Sequence, residues 1–518
     1  MHTVLTEQAI KLGDRPALQF DERTLSYREL DELANALAGA LAHRGVRQGD
    51  FVALMISNRA EFAISYFALA RLGAVAVPIT IALKSEGLAY IFHQTEASTA
   101  IIEASLLPRV EVALQEKNYL RQIIIVGSEG EHTTLAASER FETLVDERRP
   151  VASPEIQPGD LWAIMYTSGT TGPSKGVMLP HQFLASQTAA IVADFEYNEE
   201  TVGYTFMPLF HMNAVAITMM PAIFTGSRCV IRANFPREHL LDDIRATGAT
   251  HTVLAPFIIR GLLATPPQSD DRDNPLKVVF GMSLTPAEWQ AFEERFAVQY
   301  MTCYGPTESG LVCQATRGKL GSTGRLGGRY EVQIVDELDR PVPPGTIGEI
   351  VSRPRRPFEV MLGYYKMPEA TARAFRNLWF HTGDLGWVDA DGYLYFSDRL
   401  KDSIKRRGEN VSSMEVEDVI SRFPGVQDVA VVGYRHPSGS DEEVRAFIVS
   451  KREAAVDPTA LIQHCSAHLA YFMVPRYLDF RSELPRNAVG KVEKVKLRGI
   501  PLDEATFDLK KTTIVLER

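Results

Sequence analysis

The chain has little cysteine: four in 518 residues, Cys229, Cys303, Cys313 and Cys465, far apart and with no Cys-x-x-Cys pair. Neither a disulfide scaffold nor a zinc site is expected. Positive charge is in deficit, with 55 Lys and Arg against 65 Asp and Glu and a net charge of -10. A phosphate backbone needs a basic face, so nucleic acid is excluded as the main partner, although a local basic patch is not. Long apolar runs are missing too. Phe51 to Leu72 comes nearest and is interrupted by Asn58, Arg59, Glu61 and Arg71, so no transmembrane segment is expected. Met1 to Asp14 lacks the charged-then-apolar pattern of an export signal, which makes a cytoplasmic location the expectation. Repeats and low-complexity tracts are absent as well. The 45% hydrophobic and 23% charged fractions are ordinary for a globular protein. The length exceeds one compact core, so two or more domains are expected.

One further absence is informative. The common P-loop ends in Gly-Lys-Ser/Thr. Here Ser174 precedes Lys175 and Gly176 follows, within Tyr166-Thr167-Ser168-Gly169-Thr170-Thr171-Gly172-Pro173-Ser174-Lys175-Gly176-Val177. The apolar run Leu161 to Tyr166 reads as a buried strand, and the segment opened by Pro180-His181 reads as a helix through Phe195. Strand, glycine-rich loop and helix is the layout of a phosphate cradle. Glycines let the backbone approach a polyphosphate, while N–H groups, hydroxyls and one Lys supply a positive field. A lone Gly-x-Gly would read as a surface loop; this density of hydroxyls, glycines and one Lys favours the cradle.

The rest of the chain supplies a frame. Ser26-Tyr27-Arg28-Glu29 is a capping box, followed by Leu30, Leu33, Ala34, Leu37 and Leu41 at helical spacing. Strand and helix patterns alternate from Phe51 to Val126, and again from Val202 to Tyr304, which predicts two α/β sheets, largely parallel. Thr134 to Pro158 reads as a polar connection. From Gly318 Gly and Pro become frequent among short β runs, a β-rich subdomain. A boundary falls near Asp398 to Asp402. Beyond it, helix and strand patterns from Ser413 to Phe480 predict a small α+β domain, and residues after Arg498 read as a tail.

Several clusters carry chemistry. Tyr304-Gly305-Pro306-Thr307-Glu308 offers an aromatic face for a purine, a hydroxyl for a phosphate and a carboxylate for Mg²⁺, a hard cation held by few carboxylates plus substrate phosphates. Alone it would read as a Gly-Pro turn. Trp379-Phe380-His381-Thr382-Gly383-Asp384 places a carboxylate on a tight turn, suited to ribose hydroxyls. Asp398 to Asp402 and Lys405 to Asn410 put charge at the domain boundary, the latter basic on an acidic background. Leu484 to Lys491 ends in a Lys on a glycine turn.

In this order and spacing, from about Leu25 to Lys491, the clusters resemble the adenylate-forming superfamily, which includes acyl-CoA synthetases. The resemblance implies a large N-terminal domain, 1–400, of two α/β sheets plus a β-rich subdomain, and a small mobile α+β domain, 401–518, hinged near Lys401. It implies ATP, Mg²⁺ and coenzyme A as cofactors. Thr167, Ser168, Gly169, Thr170, Thr171, Gly172 and Lys175 correspond to the loop on the β- and γ-phosphates. Tyr304 corresponds to the adenine-stacking aromatic, in a motif that includes Gly305, with Gly281, Met282 and Ser283 near the base. Thr307 corresponds to a phosphate contact, Glu308 to the Mg²⁺ carboxylate, Asp384 to the ribose ligand, and Arg399 to a second ribose or phosphate contact. Lys491 corresponds to the Lys joining the acyl carboxylate to the α-phosphate, and Gly408, Glu409 and Asn410 to the loop facing the thiol. Two departures stand out: Arg407 where relatives often carry Gly, and Phe280-Gly281-Met282-Ser283-Leu284 in place of the usual Gly-Gly-Ala.

The implied reaction is acyl-CoA ligation: adenylation of a carboxylic acid with loss of pyrophosphate, then transfer to CoA. Phe210-His211-Met212-Asn213 falls on the acyl pocket. It lacks the Asp that amino-acid-activating relatives use, so an α-amino acid is not expected; His211 is a catalytic candidate in that pocket, with an ordinary gate or packing residue as the equal alternative. The chain ends soon after Lys491 with no carrier domain, which favours free CoA. Met207 to His211, Ile404 to Ser412 and Leu484 to Lys491 are most similar to the crotonobetaine/carnitine-CoA ligase branch, so a small polar or short acyl acid is expected. Fatty- or aryl-acid ligation and loading of a separate carrier protein stay as alternatives, and a homo-oligomer is left open.

Overall fold

The computed structural model describes the chain except residues 1, 22, 84, 128–132, 150, 168–173, 237–238, 283, 316–318, 401, 407–408, 436–441, 452–455, 487–491 and 513–518. Two short strands, β1 (Pro16–Gln19) and β2 (Thr24–Ser26), come first. Ser26 then caps the helix Tyr27–His43; its side chain accepts from Glu29 N while the Glu29 carboxylate accepts from Ser26 N, the expected capping box. Next come β3 (Phe51–Met55), β4 (Val75–Pro78), β5 (Thr99–Glu103), β6 (Gln122–Val126), β7 (Ala137–Arg140), β8 (Leu161–Thr167) and β9 (Lys175–Pro180). They form a seven-stranded sheet in the order β7-β6-β5-β3-β4-β8-β9. Every pair in it is parallel except β8 with β9. The Ile- and Val-rich strands are buried, as a sheet covered on both faces demands. Thr134 to Pro158 is more than a polar connection. It contains β7 and the helix Phe141–Asp146, whose Phe141 and Leu144 are buried; a helix of six residues is too short to show a readable period.

A second seven-stranded sheet takes β10 (Val202–Thr205), β11 (Arg228–Ile231), β12 (His251–Leu254), β13 (Val278–Gly281) and β14 (Gln299–Thr302), in the order β14-β13-β12-β10-β11-β1-β2. Its far edge comes from the start of the chain: β1 lies parallel to β11, with Leu18 opposite Cys229. One core cluster draws side chains from both sheets and from the helices Tyr27–His43, Ala60–Leu72 and His181–Asp194. Every residue of Ala60–Leu72 is buried. Arg71 there is paired as a buried charge must be, 2.5 Å from Asp31 Oδ1 and 3.0 Å from Asn35 Oδ1.

The β-rich part is an antiparallel sheet of β15 (Gly324–Arg325), β16 (Tyr330–Val335), β17 (Gly348–Pro354), β18 (Phe375–Arg376), β19 (Trp379–Val388) and β20 (Tyr393–Arg399). The hairpin β21 (Ile404–Arg406) and β22 (Glu409–Val411) follows. The C-terminal α+β unit packs the helices Ser413–Ser421 and Pro458–His468 on β23 (Val426–Arg435), β24 (Glu442–Ser450), β25 (Tyr477–Arg481) and β26 (Phe507–Asp508). The last strand corrects the reading of a tail. Phe507 and Asp508 pair antiparallel with Leu478 and Tyr477, and Leu509 is buried. A two-residue strand shows no periodicity. At the boundary, Ser413 N and Oγ both donate to Asp398 Oδ2, at 2.6 and 2.8 Å. The hinge residue expected there, Lys401, lies outside the described residues.

Candidate active site

Thr167 and Lys175 are register partners at the mouth of the β8–β9 hairpin. Ser168, Gly169, Thr170, Thr171 and Gly172 lie outside the described residues. The expected strand–loop–helix layout is corrected here, because the loop returns into a strand, β9, and the helix begins only at His181. Val177 and Leu179 alternate into the core at full burial, a strand period. Gly176 lets β9 lie flat on β8, since a Cβ there would sit 2.8 Å from Ile164 Cγ2. No helix dipole thus begins directly before or after this hairpin's mouth; Lys175, at the start of β9, supplies positive charge there.

A strap, residues 361–365, runs along the free edge of β9. Leu362 N donates to Met178 O at 2.9 Å, Met178 N to Gly363 O at 3.0 Å, and Tyr365 N to Gly176 O at 2.8 Å. At the start of the strap Met361 N donates to Glu308 O at 2.8 Å. The strap therefore brings Glu308 to the phosphate hairpin. Tyr364, which the sequence reading passed over, sits where they meet. Its hydroxyl donates to Glu308 Oε1 at 3.0 Å, and Lys175 Nζ lies 4.6 Å above its ring centroid. Burial pushes the Glu308 carboxyl up, opposed by its own backbone amide, the Tyr364 hydroxyl and the positive charges of Arg399 and Lys175.

Among the described residues no cluster of three or more His, Cys, Asp or Glu could hold a metal unaided. One half-buried carboxylate near a Lys does fit Mg²⁺, which takes most of its ligands from phosphates and water.

The second cluster lies between β14 and the antiparallel sheet. Tyr304 follows β14 and is buried, with Phe396 tilted 31° to its ring at 6.0 Å. Its hydroxyl donates to Asp384 Oδ2 at 2.7 Å. Arg399 Nε stands 3.1 Å from Asp384 Oδ1. Asp384 is not on a tight turn, as read from the sequence, but inside β19, directly opposite Arg399 of β20. Gly383 is left-handed (φ 70°) and the ladder shifts register just beyond, so the strand continues through what the Thr-Gly-Asp wording suggested was a turn.

Gly281, at the end of β13, is required by close packing: a Cβ there would lie 2.0 Å from Tyr300 Oη, which donates to Met282 O at 2.5 Å. Met282 is exposed, and Ser283 lies outside the described residues. Gly305 is equally constrained, its missing Cβ 2.0 Å from Gly310 O. Thr307 is half-buried between Tyr304 and Glu308. This loop is clamped by another residue the sequence reading missed: Gln187 Oε1 accepts from Leu311 N at 2.7 Å, and its amide donates to Tyr330 Oη at 3.1 Å. Neither Tyr364 nor Gln187 stands in a patterned motif; only their contacts reveal them.

His211 packs on Phe210 at 4.7 Å, and burial pushes its imidazole down, favouring the neutral form. It leads into a π-helix, Asn213–Met219. The Asn213 side-chain oxygen is buried with no hydrogen-bond partner among the described residues. Cys303 and Cys313, taken as far apart, approach to 3.7 Å between sulfurs because the chain folds back after the loop; Cys313 Sγ accepts from Tyr304 N at 3.2 Å. Of the C-terminal candidates, Glu409 and Asn410 lie in β22 opposite Arg406 and Lys405. Gly408 and Lys491 lie outside the described residues.

With this geometry in view, comparison with known proteins is informative. Residues 5–365 match the family described as AMP-binding enzyme, and residues 415–491 match its C-terminal domain. The chain is 35% identical over 504 residues to the crotonobetaine/carnitine–CoA ligase of Salmonella paratyphi B, covering 94% of this chain and 96% of that one. Among solved structures it is similar to the anthranilate CoA ligase AuaEII in complex with anthranoyl-AMP, at TM-score 0.86 and 27% identity over 96% of each chain. It is also similar to ATP-bound MatB from Rhodopseudomonas palustris, at TM-score 0.83 and 26% identity over 96% of this chain and 98% of that one.

Proposed function

The chain belongs to the AMP-binding enzyme family, and from that premise we propose that it is an ATP-dependent acyl-CoA ligase. The carboxylate of an acid attacks the α-phosphorus of ATP, an acyl-adenylate forms and pyrophosphate leaves. The CoA thiol then attacks the acyl carbon, giving the thioester, AMP and a proton. The observation that carries this reading is the convergence of Lys175, Glu308, Tyr304, Asp384 and Arg399, drawn from far-separated segments, on the open end of the β8–β9 hairpin and the β14 loop.

The roles follow from chemistry. Both reactants are anionic, so the attack needs charge neutralised at the phosphates more than it needs a base. Thr167 and Lys175, with Ser168, Gly169, Thr170, Thr171 and Gly172, would cradle the β- and γ-phosphates. Asp384, with Arg399, would take the ribose, and Tyr304, Gly281, Met282, Ser283 and Gly305 the base. Thr307 would contact phosphate. Glu308 would hold Mg²⁺, which, when bound, neutralises phosphate charge and fixes its geometry. Lys491 would reach the α-phosphate from a small domain, 401–518, that turns on a hinge at Lys401 against the large domain, 1–400. The turn would then bring Gly408, Glu409 and Asn410 to face the thiol.

For the acid we propose a small polar or short acyl chain. The 35% identity to crotonobetaine/carnitine–CoA ligase supports it. So does the buried, unpartnered Asn213 oxygen beside His211, whose desolvation cost a polar substrate group would offset. An aryl acid is the second reading, favoured by the Phe210–His211 ring pair and the likeness to an anthranilate CoA ligase. The test is product analysis over a panel of acids with ATP, Mg²⁺ and CoA. AMP, pyrophosphate and an acyl-CoA are expected, whereas ADP and phosphate would overturn the reading. Carnitine-like acids against benzoates would separate the two substrate classes, and a thioester formed only on an added carrier protein would replace CoA.

A further inference from the structure

We infer that Tyr364 is a positioning residue for the nucleotide half of this site: its hydroxyl aims the Glu308 carboxylate at the metal, and its ring holds Lys175 beside that carboxylate without pairing the two. The inference rests on the proposed function. Its ground is the way Tyr364 is itself held. Val177 of β9 bridges to Tyr364, Gly363 O and Tyr365 N bond to β9 on either side of it, and Tyr364 N donates to Thr371 Oγ1 at 2.9 Å. Gly363 turns with φ 134°, a conformation only glycine adopts easily. The backbone at Tyr364 is thus pinned on both sides, and with the residue 6% exposed its side chain has little freedom.

Two different interactions leave that ring. A buried phenol needs an acceptor, and Tyr364 uses one oxygen of Glu308, at 3.0 Å. That bond fixes the carboxylate's orientation and is the stronger for an ionised acceptor. The ring face carries Lys175 Nζ at 4.6 Å. A cation–π contact is weaker than an ion pair and leaves all three ammonium protons free to donate. Had Lys175 closed directly on Glu308, each would have cancelled the charge the other brings to the phosphates. Tyr364 thus keeps a cation and an anion adjacent but unspent. A tyrosine held only for packing would still need an acceptor, but not a cation on its ring face beside that acceptor.

The test is Tyr364→Phe, which keeps the ring and removes the hydroxyl, with Glu308→Gln as reference. The direct readout is Mn²⁺ affinity by electron paramagnetic resonance, with a non-hydrolysable ATP analogue bound. Tyr364→Phe is expected to weaken Mn²⁺ binding roughly 10-fold, the usual scale for one hydrogen bond to a charged group, and to leave metal-free binding of the analogue unchanged. Tyr364→Leu, which removes the ring as well, should raise the KM for MgATP beyond that of Tyr364→Phe. Wild-type Mn²⁺ affinity in Tyr364→Phe, with Glu308→Gln impaired, would overturn the role of Tyr364 alone. If Glu308→Gln also binds Mn²⁺ normally, the metal reading of Glu308 fails with it. Should Tyr364→Leu fail to fold, Tyr364→Phe decides the question by itself.

Discussion

The site contains the same chemical device twice. In one cluster Tyr304 donates to Asp384 with Arg399 adjacent; in the other Tyr364 donates to Glu308 with Lys175 adjacent. The difference lies in how the cation is spent. Arg399 is ion-paired with Asp384 on a directly facing strand, so that cluster is internally neutral and rigid. Lys175 rests on a ring, and Glu308 is held at a cost, its carboxyl pushed up by burial. A neutral, fixed pocket suits a nucleoside, whose hydroxyls and base bring no charge. A pocket of uncancelled charges suits a ligand that brings its own, the metal-bound phosphates. On the proposed reading, where one nucleotide spans both, the first would supply affinity and the second charge stabilisation.

The largest expected effect tests what neither cluster contains, a cation for the α-phosphate. Lys491→Ala should slow adenylation by on the order of 10²–10³-fold, the usual loss on removing one such electrostatic group. Single-turnover assays with supplied acyl-adenylate should show thioester formation retained; equal loss of both halves would mean no third cation is delivered by the C-terminal unit. Next in size, Asp384→Ala should raise the KM for ATP by about 10–100-fold, on the scale of lost hydrogen bonds to a charged group. Adenosine binding should suffer equally, because Asp384 is proposed to act on the ribose and not on the phosphates. An adenosine affinity left at the wild-type level would break the comparison.

Lys175→Gln should act in the opposite sense, weakening ATP by about 10-fold while sparing adenosine; calorimetry with both ligands separates the cases. The smallest effect is on stability. Because the folded Glu308 carboxyl is raised by burial, its protonated form is the better tolerated. That contribution to stability is present below the ordinary carboxylate range and is lost as pH rises through the raised value. Ligand-free Glu308→Gln should therefore melt above wild type at about pH 8 and level with it near pH 4. Thermal scans at the two pH values check this, and a wild-type advantage at high pH would mean Glu308 is stabilised as the anion in the free protein.

How much of this was legible beforehand differs by element. The capping box at Ser26, the alternation from Phe51 to Val126 and the helix after His181 are local patterns, and they folded as written. Tyr304, Glu308, Asp384 and Arg399 stood in wordings specific enough to be singled out. Tyr364 stood in none, and its importance exists only through Glu308 and Lys175, 56 residues away in one case. The turn read at Asp384 and the failure to read β9 between the phosphate loop and the helix at His181 share a reason. Glycine-rich wording signals a backbone departure without saying whether a turn or a strand absorbs it.

By itself the sequence determined the capped helix at Ser26, the α/β alternation of the two large sheets, the charged and aromatic inventory of the site and the family, because periodicity, caps and motif spacing are properties of neighbouring residues. Only the tertiary structure decided that β1 crosses to β11, that β26 closes the last sheet, that Cys303 meets Cys313, and that one tyrosine stands between Lys175 and Glu308. Those are pairings across long stretches of chain. Their energy comes from burying surfaces against partners that no local window contains, so no local pattern could announce them.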